Sequence, residues 1–508
     1  MTLRSSILAV VSGVLLAGFV GRAEGRPNFV VFIADDVSWN DLGCYGNKGA
    51  RTPHIDRLAG QGLLFRNAYL TASSCSPSRA SIMTGRYPHN TGEASELHRP
   101  WSAHLPTFPE LLREGGYHTA LAGKFHMAQK KEGNEETRLS RAFDRVEPNV
   151  RVPGNSGGHG RWVDVVRERP RGKPFFFWFA STDAHRGWDA DAEWDAKEYG
   201  PRHRPEDMVV PPELADSEDT HKDLASYHNE VTRFDHFIGR TVSELKKAGV
   251  LDNTVILVMA DNGRPFPRGK TRLHDAGMKT PFVVHWPDGI RQGGQERLAL
   301  ISAIDIAPTI LELAGVRAAE TLQGVSFVPV LESDRQVRRY AFSEHNWHDY
   351  EAHGRSLRDQ AGHLYIRNAR PAKAWIGPSD SVGSPAHRDL KKRREGGSLT
   401  PVQADLFLEP RPPEELYFTP DDPAQVANRV GDPSFDARLR EMRGLMDRWQ
   451  RETGDSVPSD FTPDYYDRET GYIDSRSGRP VAELRKRDYR VPPGAEHNAD
   501  KLNASGPK

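Results

Sequence analysis

Between Pro27 and about Leu331 the chain alternates short apolar runs with stretches of helical spacing. "NFVVFIADD", "KPFFFWFASTDAH" and "NTVILVMADNG" each pass from β-branched and aromatic residues to Asp, His or Asn. "KTPFVVHWP" is a fourth run of this kind. Runs so uniformly apolar predict strands buried on both faces of a largely parallel sheet. "HIDRLAGQGLLF", "TFPELLREGGY", "ASYHNEVTRFDHFIGRTVSELKKAGV" and "IDIAPTILELAGV" carry apolar residues at helical spacing. The predicted fold class is α/β, a large mostly parallel sheet between layers of helices. Open sheets of this type bind ligands beyond the carboxyl ends of their strands. Asp35, Asp36, Asp183, His185, Asp261 and Asn262 fall there.

From about Ser333 the pattern changes. "RYAFSEHNW" and "GHLYIRNAR" predict strands, Arg370 to Pro413 reads as a Pro-, Gly- and charge-rich connection, and "EELYFTPDDP" leads into the amphipathic "FDARLREMRGLMDRWQRET". The expected organisation is a catalytic domain over 24–332, a smaller α+β subdomain with an antiparallel sheet and a helix over 333–470, and a polar tail over 471–508. At the other end, Arg4, the apolar stretch from Ile7 to Val20 and the small residues around Ala23 read as an export signal over 1–23. An uncleaved anchor helix is the alternative. The mature chain is expected to start near Glu24, free of the membrane, in the periplasm or outside the cell.

The 508 residues carry a formal net charge of -1, so no overall field draws nucleic acid or an acidic membrane. An anionic substrate has to be held by a local basic cluster. The one N-x-S/T sequon, at Asn503, fits a bacterial exported protein. Two cysteines in an exported chain admit a Cys44–Cys75 disulfide.

Two acidic pairs stand out. Asp35-Asp36 and Asp261-Asn262 each close an apolar run and together offer hard oxygen donors suited to Ca²⁺ or Mg²⁺. Either pair alone also reads as a turn or a helix cap. Basic groups are spread along the same region: Arg79 four residues after Cys75, Lys124 and His126 in "AGKFHM", His185 in "DAHRG", and Lys270 after "DNGRPFPRG". A metal ringed by cations and histidines suits an oxyanion.

These residues stand in motifs that resemble the type I sulfatases of the alkaline phosphatase superfamily. The signature C-x-P-S-R followed by T-G is present as Cys75, Pro77, Ser78, Arg79, Thr84 and Gly85. "NFVVFIADD", "TPHIDRLAGQGLLFRNAY", "GYHTALAGKFH", "ADNG" and "TPFVVHWP" accompany it in family order, and "ELYFTPDDPAQVAN" resembles the family's C-terminal segment. The resemblance implies an alkaline-phosphatase-like sandwich. It also implies that a formylglycine-generating maturase oxidises Cys75 to Cα-formylglycine, which displaces the disulfide and leaves Cys44 unpaired.

By the same resemblance, Asp35, Asp36, Asp261 and Asn262 hold one divalent ion, Ca²⁺ being the expected one. The hydrated formylglycine attacks sulfur with help from Asp261, while Arg79 and Lys124 stabilise the hydrate and the developing anion. His185 and Lys270 face the bridging atom, with His185 as general acid, and His126 removes the proton of the second hydroxyl. Within the family, "SSCSPSRASIMTG", "GKFHM", "DAHRG" and "DNGRPFPRGKTRLHDAGMKTPFVV" most resemble the N-sulfoglucosamine sulfohydrolase (heparan N-sulfatase) branch. Lys270 stands where that branch has arginine, and "DAHRG" replaces its "DPHR".

The expected substrate is a sulfated carbohydrate, N-sulfoglucosamine of heparan sulfate in the first instance. Asp183, His98, Arg99, Glu344, His345 and Arg355 are the candidates for sugar contacts. Other readings keep a place: an O-sulfatase on algal or host glycans, a phosphodiesterase or phosphonate monoester hydrolase of the same superfamily, a glycan-binding protein without activity, and a thiol enzyme using unmodified Cys75.

Overall fold

A computed structural model describes residues 25–101, 105–126, 138–148, 157–188, 194–459 and 461–468. The expected export signal and the 471–508 tail lie outside these residues. No helix among the described residues is long and apolar enough to cross a membrane.

Eight strands form the large sheet: β1 Asn28–Ala34, β2 Leu63–Tyr69, β3 His118–Gly123, β4 Arg145–Pro148, β5 Phe175–Ala180, β6 Thr254–Ala260, β7 Phe282–His285 and β8 Gln295–Ser302, in the order β4-β3-β5-β1-β6-β7-β2-β8. All neighbours are parallel except around β7, which runs antiparallel to both β6 and β2. Direction is invisible in "KTPFVVHWP", because a strand covered on both faces is apolar whichever way it runs.

Strand alternation divides the core into two layers. Phe29, Val31 and Ile33 of β1 join Phe176 and Trp178 on one face. Val30, Phe32 and Ala34 join Phe175, Phe177 and Phe179 on the other, beneath the long helix Glu218–Lys247.

The four-residue run "GLLF" departs from the helical reading. The helix Pro53–Gln61 stops at Gly62, where a Cβ would lie 2.3 Å from the Val284 carbonyl oxygen, and Leu63 opens β2. Close packing against β7 ends the helix, a tertiary cause with no local signal.

The second sheet is antiparallel, ordered β12-β11-β10-β9, with β9 Tyr340–His348, β10 Tyr350–Asp359, β11 His363–Asn368 and β12 Glu414–Phe418. The helix Asp436–Thr453 covers it and stacks Trp449 on Phe342 at 4.9 Å. β10, "YEAHGRSLRD", is unforeseen because it is polar in sequence yet wholly buried. Arg355 and Arg358 are accommodated there by Asp455 and Asp275. Tyr350, Ile366, Trp375 and Tyr466 pack into the same core as β1 and β6, so the second sheet is fused to the first.

Candidate active site

Parallel strands in register bring their carboxyl ends to one edge. Ala34 pairs with Ala260, Ile33 with Ala180, and Gly123 with Ala180. Asp35-Asp36, Asp261-Asn262 and Lys124 therefore leave the sheet side by side. Asp36 has φ 62, a left-handed turn that Asp tolerates better than most residues. Gly123 has φ 100, and a Cβ there would stand 1.9 Å from the Ala180 carbonyl oxygen. Only glycine lets the chain bend here to deliver Lys124.

A ten-residue helix, Cys75–Thr84, points its N-terminus into this edge, and every residue of it is buried. Its N–H groups and dipole favour negative charge at that end. Cys75 Sγ lies 3.8 Å from Asp36 Oδ1. Both cysteines are free, so the disulfide alternative is not formed. Burial pushes the Cys75 thiol well up, against the pull of Lys124 and Lys270. Cys44 rises to about 12 through burial and the adjacent Asp56.

Around Cys75, three carboxylates interlock with three cations. Arg79 Nε donates to Asp261 Oδ2 at 2.8 Å, and its Nη1 donates to the Lys124 carbonyl at 3.3 Å. Lys124 bonds Asp35, and Lys270 Nζ reaches Asp36 Oδ2 at 2.8 Å. Burial works against each cation's charge, but the carboxylates win: Arg79, Lys124 and Lys270 are all held above their ordinary values. Burial pushes the carboxyl of Asp261 up, against Arg79.

The donor set fits a hard divalent cation. Asp35, Asp36, Asp261 and Asn262 converge from two adjacent strand ends and are at most 1% exposed. Asp35 Oδ1 and Asn262 Oδ1 are buried without a hydrogen-bond partner, an arrangement proteins avoid unless something else satisfies the oxygen. Three carboxylates balance three cations, and Asp380, 3.2 Å from Lys270, tips the cluster to one net negative charge. A divalent ion would give it the positive charge that an oxyanion needs.

Exposure shows where the cluster opens to solvent. The floor is closed, while the His185 side chain is 38% exposed, Lys124 14%, and His98 is open to solvent. His126 Nε2 meets His98 Nδ1 at 2.7 Å. Burial, then Lys124, His98, Arg79 and His185, press His126 well below the usual imidazole range, so it is a neutral proton acceptor near pH 7. Behind Cys75, Ser74 Oγ lies 2.7 Å from His348 Nδ1, and burial with Lys270 likewise keeps His348 neutral.

Several expected sugar contacts are placed elsewhere. Asp183 is gripped by Arg233 of the long helix through two 2.8 Å bonds, with His159 at 3.4 Å. Its backbone carbonyl accepts from Asp35 N at 2.9 Å, so it positions the Asp35-Asp36 loop, and its buried carboxylate faces Arg233 and His159. Glu344 accepts from His89 Nδ1 at 2.9 Å and Asn346 Nδ2 at 3.0 Å. Arg355 is forked onto Asp455 at 2.7 and 2.8 Å, and His345 is buried against Tyr350, its pKa lowered to about 3. These three brace the second sheet. Arg99 lies 3.9 Å from Glu96.

Sequence reasoning missed Asp380, which faces Lys270 Nζ at 3.2 Å and His185 Nε2 at 3.8 Å. It is the second residue of a four-residue helix, Ser379–Val382, inside the stretch read as a connection. "GPSDSVG" holds no signal for it. The Asp183–Arg233 pair also makes a prediction. Arg233→Met should destabilise the fold by about 3–5 kcal/mol, because a buried carboxylate loses its partner. Chemical denaturation of the two proteins measures it.

Comparison with known proteins narrows the chemistry. The sulfatase family model matches residues 27–316, and the model for the C-terminal part of N-sulphoglucosamine sulphohydrolase matches 269–366. Human N-sulphoglucosamine sulphohydrolase is 30% identical over 484 residues, covering 86% of this chain and 92% of that protein. An ulvan-active sulfatase of Formosa agariphila is 27% identical over 472 residues, covering 85% and 76%. A protein solved with its substrate D-glucosamine-2-N,6-O-disulfate superposes with a TM-score of 0.63 at 20% identity, over 85% of this chain and 99% of that one. The phosphonate monoester hydrolase of Agrobacterium radiobacter gives 0.62 at 18%, over 83% and 95%.

Proposed function

The chain belongs to the type I sulfatase family, close to the heparan N-sulfatases, and from that premise we propose that it removes the N-sulfate group of glucosamine residues in sulfated glycans. The observation that carries this reading is the box around Cys75: a buried Sγ 3.8 Å from Asp36, walled by Arg79, Lys124 and Lys270, opening onto His126 and His185. The match of residues 269–366 to the N-sulphoglucosamine sulphohydrolase C-terminal model favours an N-sulfated sugar over other sulfated glycans.

In this reading Cys75 is converted to Cα-formylglycine by a maturase, and its hydrate supplies the attacking hydroxyl. Asp35, Asp36, Asp261 and Asn262 would hold Ca²⁺, which when bound polarises a sulfate oxygen. The protein's own groups do the rest. Arg79 and Lys124 stabilise negative charge on the floor, and Lys270 does so from the side of Asp380. Neutral His126 accepts a proton at the hydrate. His185, on the open side, hands a proton to the leaving atom.

Mass spectrometry of protein co-expressed with a formylglycine-generating enzyme, followed by sulfate release from a sugar panel, tests this. Aldehyde at position 75 with release from N-sulfoglucosamine is the expected result. Release from glucosamine 6-O-sulfate or algal oligosaccharides alone overturns the substrate. A thiol that survives a competent maturase, with no release at all, overturns the mechanism.

A further inference from the structure

We propose that Asp380 is the specificity-determining residue of the leaving-group pocket, selecting a sugar whose leaving atom is an amine. The inference rests on the N-sulfate reading above and names the group that would enforce it.

The groups with a side toward solvent, namely His98, Lys124, His126, His185 and Asp380, form the rim, whereas Cys75, Arg79, Lys270 and the strand-end acids below them are sealed. A sulfate seated on the floor must therefore direct its bridging atom and sugar toward this rim. Asp380 is the one carboxylate among those five. Its Oδ1 is tied down by Ser381 N at 2.7 Å, and its Oδ2 points at Lys270 Nζ, 3.2 Å away, and His185 Nε2, 3.8 Å away. Burial opposes its charge, but Lys270, His185 and Arg186 hold its carboxyl below the ordinary carboxylate value. It is an ionised, oriented acceptor beside the proposed proton donor.

A carboxylate is a poor neighbour for a sulfated alcohol, since it adds negative charge beside an anion. For an N-sulfate the balance is reversed. The reaction is R–NH–SO₃⁻ + H₂O → R–NH₃⁺ + SO₄²⁻: the N–S bond breaks, the nitrogen keeps the electron pair and gains two protons, and sulfur gains the water oxygen. Hydrolysis of an O-sulfate leaves a neutral alcohol instead. Only the nitrogen leaving group becomes a cation. A fixed carboxylate at the rim stabilises that developing charge and binds the product ammonium by a charge-assisted hydrogen bond. Lys270 neutralises part of Asp380 while the substrate's anion is bound, which keeps the pocket open to sulfate.

The test compares wild type, Asp380→Asn and Asp380→Glu, all bearing the aldehyde, with thermal melting to check folding. The substrates are D-glucosamine N-sulfate and D-glucosamine 6-O-sulfate. The inhibitors are D-glucosamine and N-acetylglucosamine, at about pH 6, where an amine is protonated. Asp380→Asn should lose about 30-fold in kcat/KM on the N-sulfate and no more than about 3-fold on the O-sulfate, if the latter is turned over. Its inhibition by glucosamine should weaken about tenfold, with N-acetylglucosamine weak throughout. Asp380→Glu, keeping the charge, should recover part of both.

Equal losses on both substrates, or equal inhibition of wild type by the amine and the acetamide, overturn the proposal. A wild type that hydrolyses only O-sulfates defeats the N-sulfate reading by itself. The inhibitor pair still decides Asp380 in that case, for or against.

Discussion

Cys75→Ala should abolish sulfate release, by about 10⁴-fold or more, in a protein that still folds. Cys75 occupies the first turn of a helix whose ten residues are all buried, yet its Sγ makes no structural bond stronger than the 3.8 Å approach to Asp36. Loss of one sulfur from such a position costs about 1 kcal/mol of packing. The chemical cost is of another order. The cations around it supply charge but no nucleophile, because Arg79, Lys124 and Lys270 are all held protonated. The variant should still bind sulfated sugar, which separates an enzyme from a glycan-binding protein: in the latter, the substitution would change no rate. Sulfate release by ion chromatography beside glycan binding by calorimetry reads both. Residual turnover within tenfold of wild type would move the nucleophile away from position 75.

The strand-end acids were legible because they belong to uninterrupted apolar runs: β1 delivers Asp35 and Asp36, and β6 delivers Asp261 and Asn262. Reading them as one cluster needed only the parallel sheet. Arg79, Lys124 and Lys270 were legible through the family motifs, since nothing in their local sequence separates them from surface charges. The sugar contacts were the weak part, for a physical reason. Glu344, His345 and Arg355 look exposed because they are polar, but they lie on strands buried on both faces, where Glu344 and Arg355 pair with each other and their neighbours and His345 packs against Tyr350. Asp380 failed in the opposite sense. It sits in a short helix with no apolar period, and only the fold of the second sheet against the first carries it to Lys270.

Arg79 tests the charge balance of the site, through two readouts expected to move in opposite directions. With Asp380 counted, four carboxylates face three cations, so Arg79→Ala takes the cluster from one negative charge in excess to two. Turnover should fall about 10³-fold, since a forked donor on the floor is lost where negative charge develops. Calcium should nonetheless bind more tightly, by roughly tenfold, because a divalent cation then enters a site of greater net negative charge. Without calcium the variant should be less stable than wild type by about 3–5 kcal/mol, its Asp261 having lost a 2.8 Å partner. Added calcium should restore part of that, at about 2.7 kcal/mol when present at a hundred times its dissociation constant. Arg79→Lys, which keeps the charge and loses the fork, should leave calcium affinity near wild type and still depress turnover. Calorimetric titration with calcium and melting with and without chelator measure these together. Weaker calcium binding in Arg79→Ala would mean that the guanidinium organises Asp35 and Asp261 for the ion rather than competing with it, and the balance of charges would have to be drawn differently.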